Sequence, residues 1–148
     1  MSLLPSDFYN GTVAITSSSN SSTIAELVDY VIDLNTGYLV VSDSGQFILC
    51  TGLRAVIMQM WRKLHIMKGE FLIYSSSYGN TFSELIGKGK SYADSYIYNK
   101  LTDVIVDKIY VKSISNLTTS LTNDKYIVSF TANTIYGDTS EVLDIDLE

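Results

Sequence analysis

The stretch TGLRAVIMQMWRKLHIMKG, residues 51–69, is where the period of this sequence changes. Within it Leu53, Val56, Ile57, Met60, Trp61, Leu64 and Met67 recur at spacings of three and four, which aligns them on one face of an α-helix. Arg54, Gln59, Arg62 and Lys63 fall mostly on the other side. Thr51 stands where an N-cap is expected, and Gly69 after Lys68 where a helix stops. A helix with one apolar face needs a surface to pack on, and the segments on either side of it read as strands that supply one.

Upstream, apolar runs at 30–34, 38–41 and 47–50 are separated by Asn35-Thr36-Gly37 and Asp43-Ser44-Gly45. Asn and Gly tolerate the left-handed backbone of tight turns, so the spacing predicts a three-stranded meander. Downstream lies FLIYSSSYGNTFSELIGKG, residues 71–89. There, 71–74 reads as a short strand or extended connection, Tyr78-Gly79 as a turn, and 82–86 as a short helix ended by Gly87. A second long helix is predicted over 91–106, with Tyr92, Tyr96, Ile97, Leu101, Val104 and Ile105 on its apolar side and Ser91 with Asp94 as a capping box.

The remainder is β in character. Residues 111–121 and 125–135 flank Thr122-Asn123-Asp124, and Tyr126, Val128, Phe130 and Ala132 alternate with Ile127, Ser129, Thr131 and Asn133, so a hairpin is predicted. In EVLDIDLE, residues 141–148, Leu143, Ile145 and Leu147 alternate with Asp144, Asp146 and Glu148. That pattern is an edge strand with an acidic outer face, which discourages stray pairing and leaves backbone groups to a chosen partner. The expected fold class is α+β, with antiparallel strands at both ends packed with two main helices in the middle. Repeated strand-helix-strand units are absent from the pattern, which argues against Rossmann and barrel enzymes.

Size and charge narrow the function. A chain of 148 residues, 46% hydrophobic and 18% charged, predicts one domain over 25–148. SSSNSST at 17–23 is low-complexity, and residues 1–24 read as an N-terminal arm ordered by partners. A net charge of −6 and a pI near 4.6 argue against a phosphate-neutralising surface, so nucleic acid is not an expected partner. No leader with a basic region before an apolar core is visible, and no run reaches the ~18 apolar residues of a membrane span, so a soluble cytoplasmic product is expected. The Asn-X-Ser/Thr triplets at Asn10, Asn20 and Asn116 are what a Ser/Thr-rich chain produces by chance.

Candidate chemistry is sparse. His65 is the only imidazole and lies on the first predicted helix without an acid at helical spacing. The single Cys50 cannot form an internal disulfide or a structural zinc site and reads as a small core residue, although a thiolate at the helix start is the alternative. Glu70 and Glu84 bracket the central loop and are the only pair a glycoside hydrolase could use there. Gly87-Lys88-Gly89-Lys90-Ser91 lacks the upstream Gly of a P-loop. No catalytic residue, cofactor or metal is expected. The 11 Tyr and 5 Phe point instead to protein contact, since Tyr joins an apolar ring to a polar tip.

Taken in order, Thr51-Gly52 before the helix, Trp61 within it, Leu72-Ile73-Tyr74 leading to Tyr78-Gly79, Glu84-Leu85-Ile86-Gly87, and Thr134-Ile135-Tyr136-Gly137 resemble the small baseplate wedge proteins of contractile phage tails, in the prophage-type branch. The resemblance covers about residues 30–138. It implies a non-enzymatic structural subunit of the inner wedge ring, made in the bacterial host cytoplasm and located in the virion tail baseplate. Its implied partners are larger baseplate wedge proteins, the tail sheath protein, and hub or tube proteins. Interface and structural candidates are Leu53, Ile57, Trp61, Leu64, Tyr78, Gly79, Gly87, Tyr136, Gly137, Val142, Leu143 and Ile145. Of these, the helical four are expected to serve packing, and the arm with the edge strand at 142–147 to face neighbours. The competing readings are a small cytoplasmic adaptor domain of similar topology and a hydrolase using Glu70 or Glu84.

Overall fold

The computed structural model describes residues 23–146. The expected arm over 1–24 falls almost wholly outside the described residues, as do Leu147 and Glu148. In chain order the elements are β1 (Val28–Tyr30), β2 (Leu49–Thr51), α1 (Gly52–His65), a 3-10 turn (Phe82–Leu85), α2 (Lys90–Ile105), β3 (Val111–Thr122), β4 (Lys125–Thr134) and β5 (Gly137–Asp146). The fold is α+β: one antiparallel sheet pairs β1 with β2, another runs β3-β4-β5, and the two helices lie between them in sequence.

Helix α1 is buried on two sides. Val56, Met60 and Leu64 join the larger core with α2 and the three-stranded sheet, while Ala55 and Met58 face a smaller one with Val31, Ile32 and Cys50. A one-stripe reading assumes a helix on the surface of a single core, so it missed Ala55 and Met58. Thr51 is the N-cap residue, but its side chain makes no cap hydrogen bond. The helix also stops at His65, short of Gly69.

Asn80 causes that early stop. Its side-chain amide donates to the carbonyls of Leu64 (2.7 Å) and Ile66 (3.0 Å), and its backbone N–H donates to the Ile66 carbonyl (2.8 Å). Helix ends leave carbonyls without intrahelical partners, and here a loop fourteen or more residues downstream satisfies them. Asn80 Oδ1 in turn accepts from the Phe82 N–H (3.1 Å), starting the 3-10 turn. Gly79 must be glycine for the loop to come so close: φ is +99°, and a Cβ there would sit 2.5 Å from the Ile66 carbonyl oxygen.

Residues 71–74 form a turn, not a strand, with Tyr74 N–H donating to the Phe71 carbonyl. The only ladder contact in this loop is the Met67–Asn80 bridge, so Leu72 and Ile73 have no sheet to join and are 103% and 87% exposed. The predicted meander also differs. Its middle strand is reduced to isolated bridges, Ile32–Leu39 and Val41–Phe47. Instead of lying flat, the three segments close on one another: Val31 N–H donates to Ile48, Ile48 N–H to Val40, and Val40 N–H to Val31. We refer to this closed unit, residues 28–51, as the cap.

Helix α2 turns a different face inward than its sequence suggested. Ala93, Ile97, Leu101, Val104 and Ile105 are buried, whereas Tyr92 and Tyr96 are exposed and rest on each other, ring centroids 4.5 Å apart. The small Ala93 side chain lets the helix approach the core, and the phenol tips stay in water. Gly89 is the N-cap, and no Ser91–Asp94 capping box forms. Asp94 has stronger partners: Lys90 Nζ (2.5 Å), Tyr126 Oη (2.6 Å) and Thr119 Oγ1 (2.7 Å) all donate to it. That clasp ties the start of α2 to β3 and β4.

Strands β3 and β4 turn at Asn123-Asp124, with φ of 49° and 65° as a two-residue hairpin turn requires. The inner face of the sheet carries Ile114, Tyr126, Val128, Phe130, Ala132, Leu143 and Ile145, all buried. Its outer face aligns small polar groups across strands, as in Ser115–Thr131–Ser140. One packed and one solvated face is the expected state of an antiparallel sheet.

Candidate interaction surfaces

The groups considered for catalysis are occupied by structural contacts. His65 stacks on Trp61 with centroids 4.1 Å apart, and its Nδ1 lies 2.8 Å from the Trp61 carbonyl. Burial and the nearby Asp29 carboxylate push the Cys50 thiol up, the opposite of what a reactive cysteine needs. Glu84 accepts from Lys100 Nζ at 2.5 Å, which lowers its carboxyl, whereas a general acid needs a raised one. Glu70 accepts from the Met67 N–H at 3.0 Å and so closes its own loop. Among the described residues no group of three or more His, Cys, Asp or Glu could hold a metal ion, and no helix is long and apolar enough to cross a membrane.

The remaining candidates fall in three regions, some of them at the surface and others in the core. The first is a groove of about 610 Å3 between the cap, the C-terminal half of α1 and the 70–74 turn, lined by Tyr30, Leu39, Trp61, His65, Phe71 and Tyr74. Trp61 is held in its wall by Gly37, whose missing Cβ would lie 3.1 Å from the indole, and Arg62 beside it is ion-paired with Asp29. Tyr78 stacks on Tyr74 at 4.3 Å, and burial pushes its phenol up. Leu64 is in the larger core, Ile57 touches both cores, and Leu53 is half-buried.

The second region surrounds Tyr136 and Gly137, at the turn between β4 and β5. Tyr136 Oη accepts from the Leu27 N–H (3.2 Å), and Tyr110 Oη donates to the Ala25 carbonyl (2.9 Å). Together the two rings pin residues 25–27 to the sheet. Gly87 follows the 3-10 turn at φ +73° with nothing near its absent Cβ.

The third is the edge of β5. Of the three residues expected to face neighbours, Leu143 and Ile145 are only 5% and 6% exposed and belong to the core, while Val142 is 69% exposed. Strand alternation requires this: residues two apart share a face, and the inner face is taken. The backbone edge is a separate matter. The two-residue turn makes Thr122 and Lys125 a hydrogen-bonded pair, so Lys125, Ile127 and Ser129 address β3, and Tyr126, Val128 and Phe130 address β5. Their partners Ile145, Leu143 and Glu141 bond back, which aims the N–H and C=O groups of Val142 and Asp144 at the open edge. Among the described residues β5 pairs only with β4. Its ten-residue register is unbroken, whereas the opposite edge strand, β3, carries two register shifts, one beside Asn116 at φ +51°.

Sequence reasoning missed Asn80, the Asp94 clasp and the cap's outer face. Only the first had a local signal, as an amide following a glycine after a turn. Among the described residues, an α+β chain with an open strand edge, an apolar groove and catalytic candidates held in structural contacts presents surfaces suited to protein contact. The family model of the contractile injection system sheath initiator matches residues 28–137, and the chain belongs to that family. The match spans the cap, both helices and the β3–β4 hairpin and ends where β5 begins. No curated protein matches the chain. Membership gives it a structural role in sheath assembly, in contact with sheath and baseplate proteins at the tail baseplate.

Proposed function

We propose that this sheath initiator is the small inner-ring wedge subunit of a contractile tail baseplate, of the prophage-type branch, assembled in the host cytoplasm. In this reading it binds the larger wedge proteins and offers β5 as the edge on which the first ring of sheath subunits is built. The carrying observation is that edge: ten residues in unbroken register, outward backbone groups at Val142 and Asp144, and no neighbour among the described residues. Natural proteins blunt exposed edges with bulges, which is the condition of β3 and not of β5. An extended sheath segment added there gains main-chain hydrogen bonds, and Asp138, Glu141 and Asp144 favour a segment with basic side chains.

Val142→Pro tests this. The substitution removes one outward N–H and leaves the bonds to β4 in place, and proline is tolerated where the missing N–H faces solvent. The expected result is a folded protein that enters baseplates while negative-stain images show tubes without sheath. Normally sheathed tails from the variant, or from particles lacking the chain altogether, would overturn the proposal.

A further inference from the structure

The two sheets of this protein carry opposite outer faces. That of β3–β5 is mostly Ser, Thr, Asn and Asp, as a solvated face should be. The cap's outward side chains are Val28, Tyr30, Leu39, Val41, Phe47 and Leu49, each between 41% and 58% exposed. They form one patch: Tyr30 pairs with Leu49 and Val41 with Phe47 along the backbone, and the Tyr30 and Phe47 rings meet edge to face at 5.9 Å. Tyr30 and Leu39 also line the groove, which carries the apolar surface on to Trp61. An apolar patch rimmed by polar groups marks a binding surface. Because the backbone groups of Val31, Val40 and Ile48 are bonded to one another, whatever binds there packs side chains and does not add a strand at that point.

The rim of this surface is acidic. Residues 23–53 contain no Lys or Arg, and Glu26, Asp29, Asp33 and Asp43 are their only charged side chains. Asp29 is ion-paired with Arg62 in the groove wall, which leaves that pair neutral. Asp33 and Asp43 stand at the turns on either end of the cap's middle segment, and the Asn35 N–H, bonded to Asp33 Oδ1 at 2.9 Å, holds the Asp33 carboxyl below its usual range. Glu70 adds a carboxylate on the far wall of the groove. The nearest exposed bases in sequence are Arg54, at the start of α1, and Lys68, beyond its end. We propose that the cap face and the adjoining groove take an amphipathic helix of another protein, with an apolar ridge at i, i+3, i+4 and i+7 flanked by Lys or Arg. The ridge enters the groove between Leu39 and Trp61, and the basic flanks meet Asp33, Asp43 and Glu70. A second copy of this chain, at net charge −6, would set the same acidic rim against itself, and like charges face to face oppose binding. The cap lies outside the sheet that holds β5, so this surface and the strand edge stand or fall separately.

The full-length protein tests this through its only tryptophan, Trp61, which lines the groove. The probes are tryptophan-free peptides of about 18 residues, long enough for five helical turns. One carries a Leu ridge with Lys flanks, one the same ridge with Glu flanks, and one the Lys peptide scrambled so that no ridge forms. The Lys-flanked helix should shift Trp61 emission and bind about tenfold tighter than either of the others, the more so at low salt. Asp33→Asn with Asp43→Lys, which keeps the acceptor for the Asn35 N–H, should bring the Lys-to-Glu preference below about threefold. Phe47→Ser should weaken the Lys-flanked peptide about fivefold or more at an unchanged melting temperature, since the ring is 57% exposed. Equal binding of the three peptides, no binding at about 1 mM, or wild-type affinity in the folded Phe47→Ser variant overturns the proposal. Self-association in sedimentation that Phe47→Ser abolishes would give the face to a second copy and overturn it as well.

Discussion

Replacing Asn80 with alanine should cost this small protein a large part of its stability. Three hydrogen bonds vanish with the side chain: those to the Leu64 and Ile66 carbonyls and that from the Phe82 N–H. Asn80 is buried, so the groups left behind are not all reached by water. A buried polar group left without a partner costs ~1–3 kcal/mol, and with partial relief where the loop meets solvent the sum is about 3–5 kcal/mol. For a chain of this size each kcal/mol moves the melting temperature by about 2–4 °C, so Tm should fall by about 6–20 °C. Urea melts followed by circular dichroism would measure the loss, with an unchanged m value showing that the same unit unfolds. Asn80→Asp sharpens the test. It can still accept from Phe82, but a carboxylate cannot donate and faces two carbonyl oxygens, which raises its folded pKa above the unfolded ~3.9. Stability should therefore be greatest below the unfolded pKa, where the protonated acid donates, and decline as pH rises through the raised folded value. A loss below about 1 kcal/mol for Asn80→Ala, or an Asn80→Asp variant as stable as wild type at pH 7, would refute the capping role.

Other outcomes follow from the same contacts. Gly79→Ala should be destabilising by about 2 kcal/mol or more, since a Cβ would meet the Ile66 carbonyl at 2.5 Å and φ is +99°; a Tm within ~2 °C of wild type would contradict this. Asp94, held down at about 2 by Lys90 and then Tyr126, contributes stability that is present above its ordinary 3.8 and is lost as pH falls toward 2. Asp94→Asn should accordingly be less stable than wild type near pH 6 and converge with it near pH 2, as thermal melts across that range would show. Leu72→Ser with Ile73→Ser should leave stability within about 0.5 kcal/mol, because both side chains are almost fully exposed; a larger loss by urea titration would show that they pack against the protein.

The residues themselves determined the elements whose signal is local. The three-to-four spacing from Leu53 to Leu64, the alternation from Tyr126 to Ala132 and the turn at Asn123-Asp124 each fix a periodicity within a few residues, and α1, β4 and the β3–β4 hairpin follow. They also sufficed for the α+β class and for a family resemblance at the tail baseplate. Tertiary structure decided which faces those elements bury and what closes their ends. Nothing in the spacing of α1 shows that Ala55 and Met58 meet a second core, or that Asn80 ends the helix from across a loop. The same holds for Asp94, whose partners Thr119 and Tyr126 lie twenty-five and thirty-two residues away. Leu143 and Ile145 show the division most simply. Their alternation with acidic residues marked an apolar face, but whether that face met a partner or the protein's own core depended on where β4 set it down. Periodicity is a property of a segment, whereas burial is a property of what the rest of the chain brings to it.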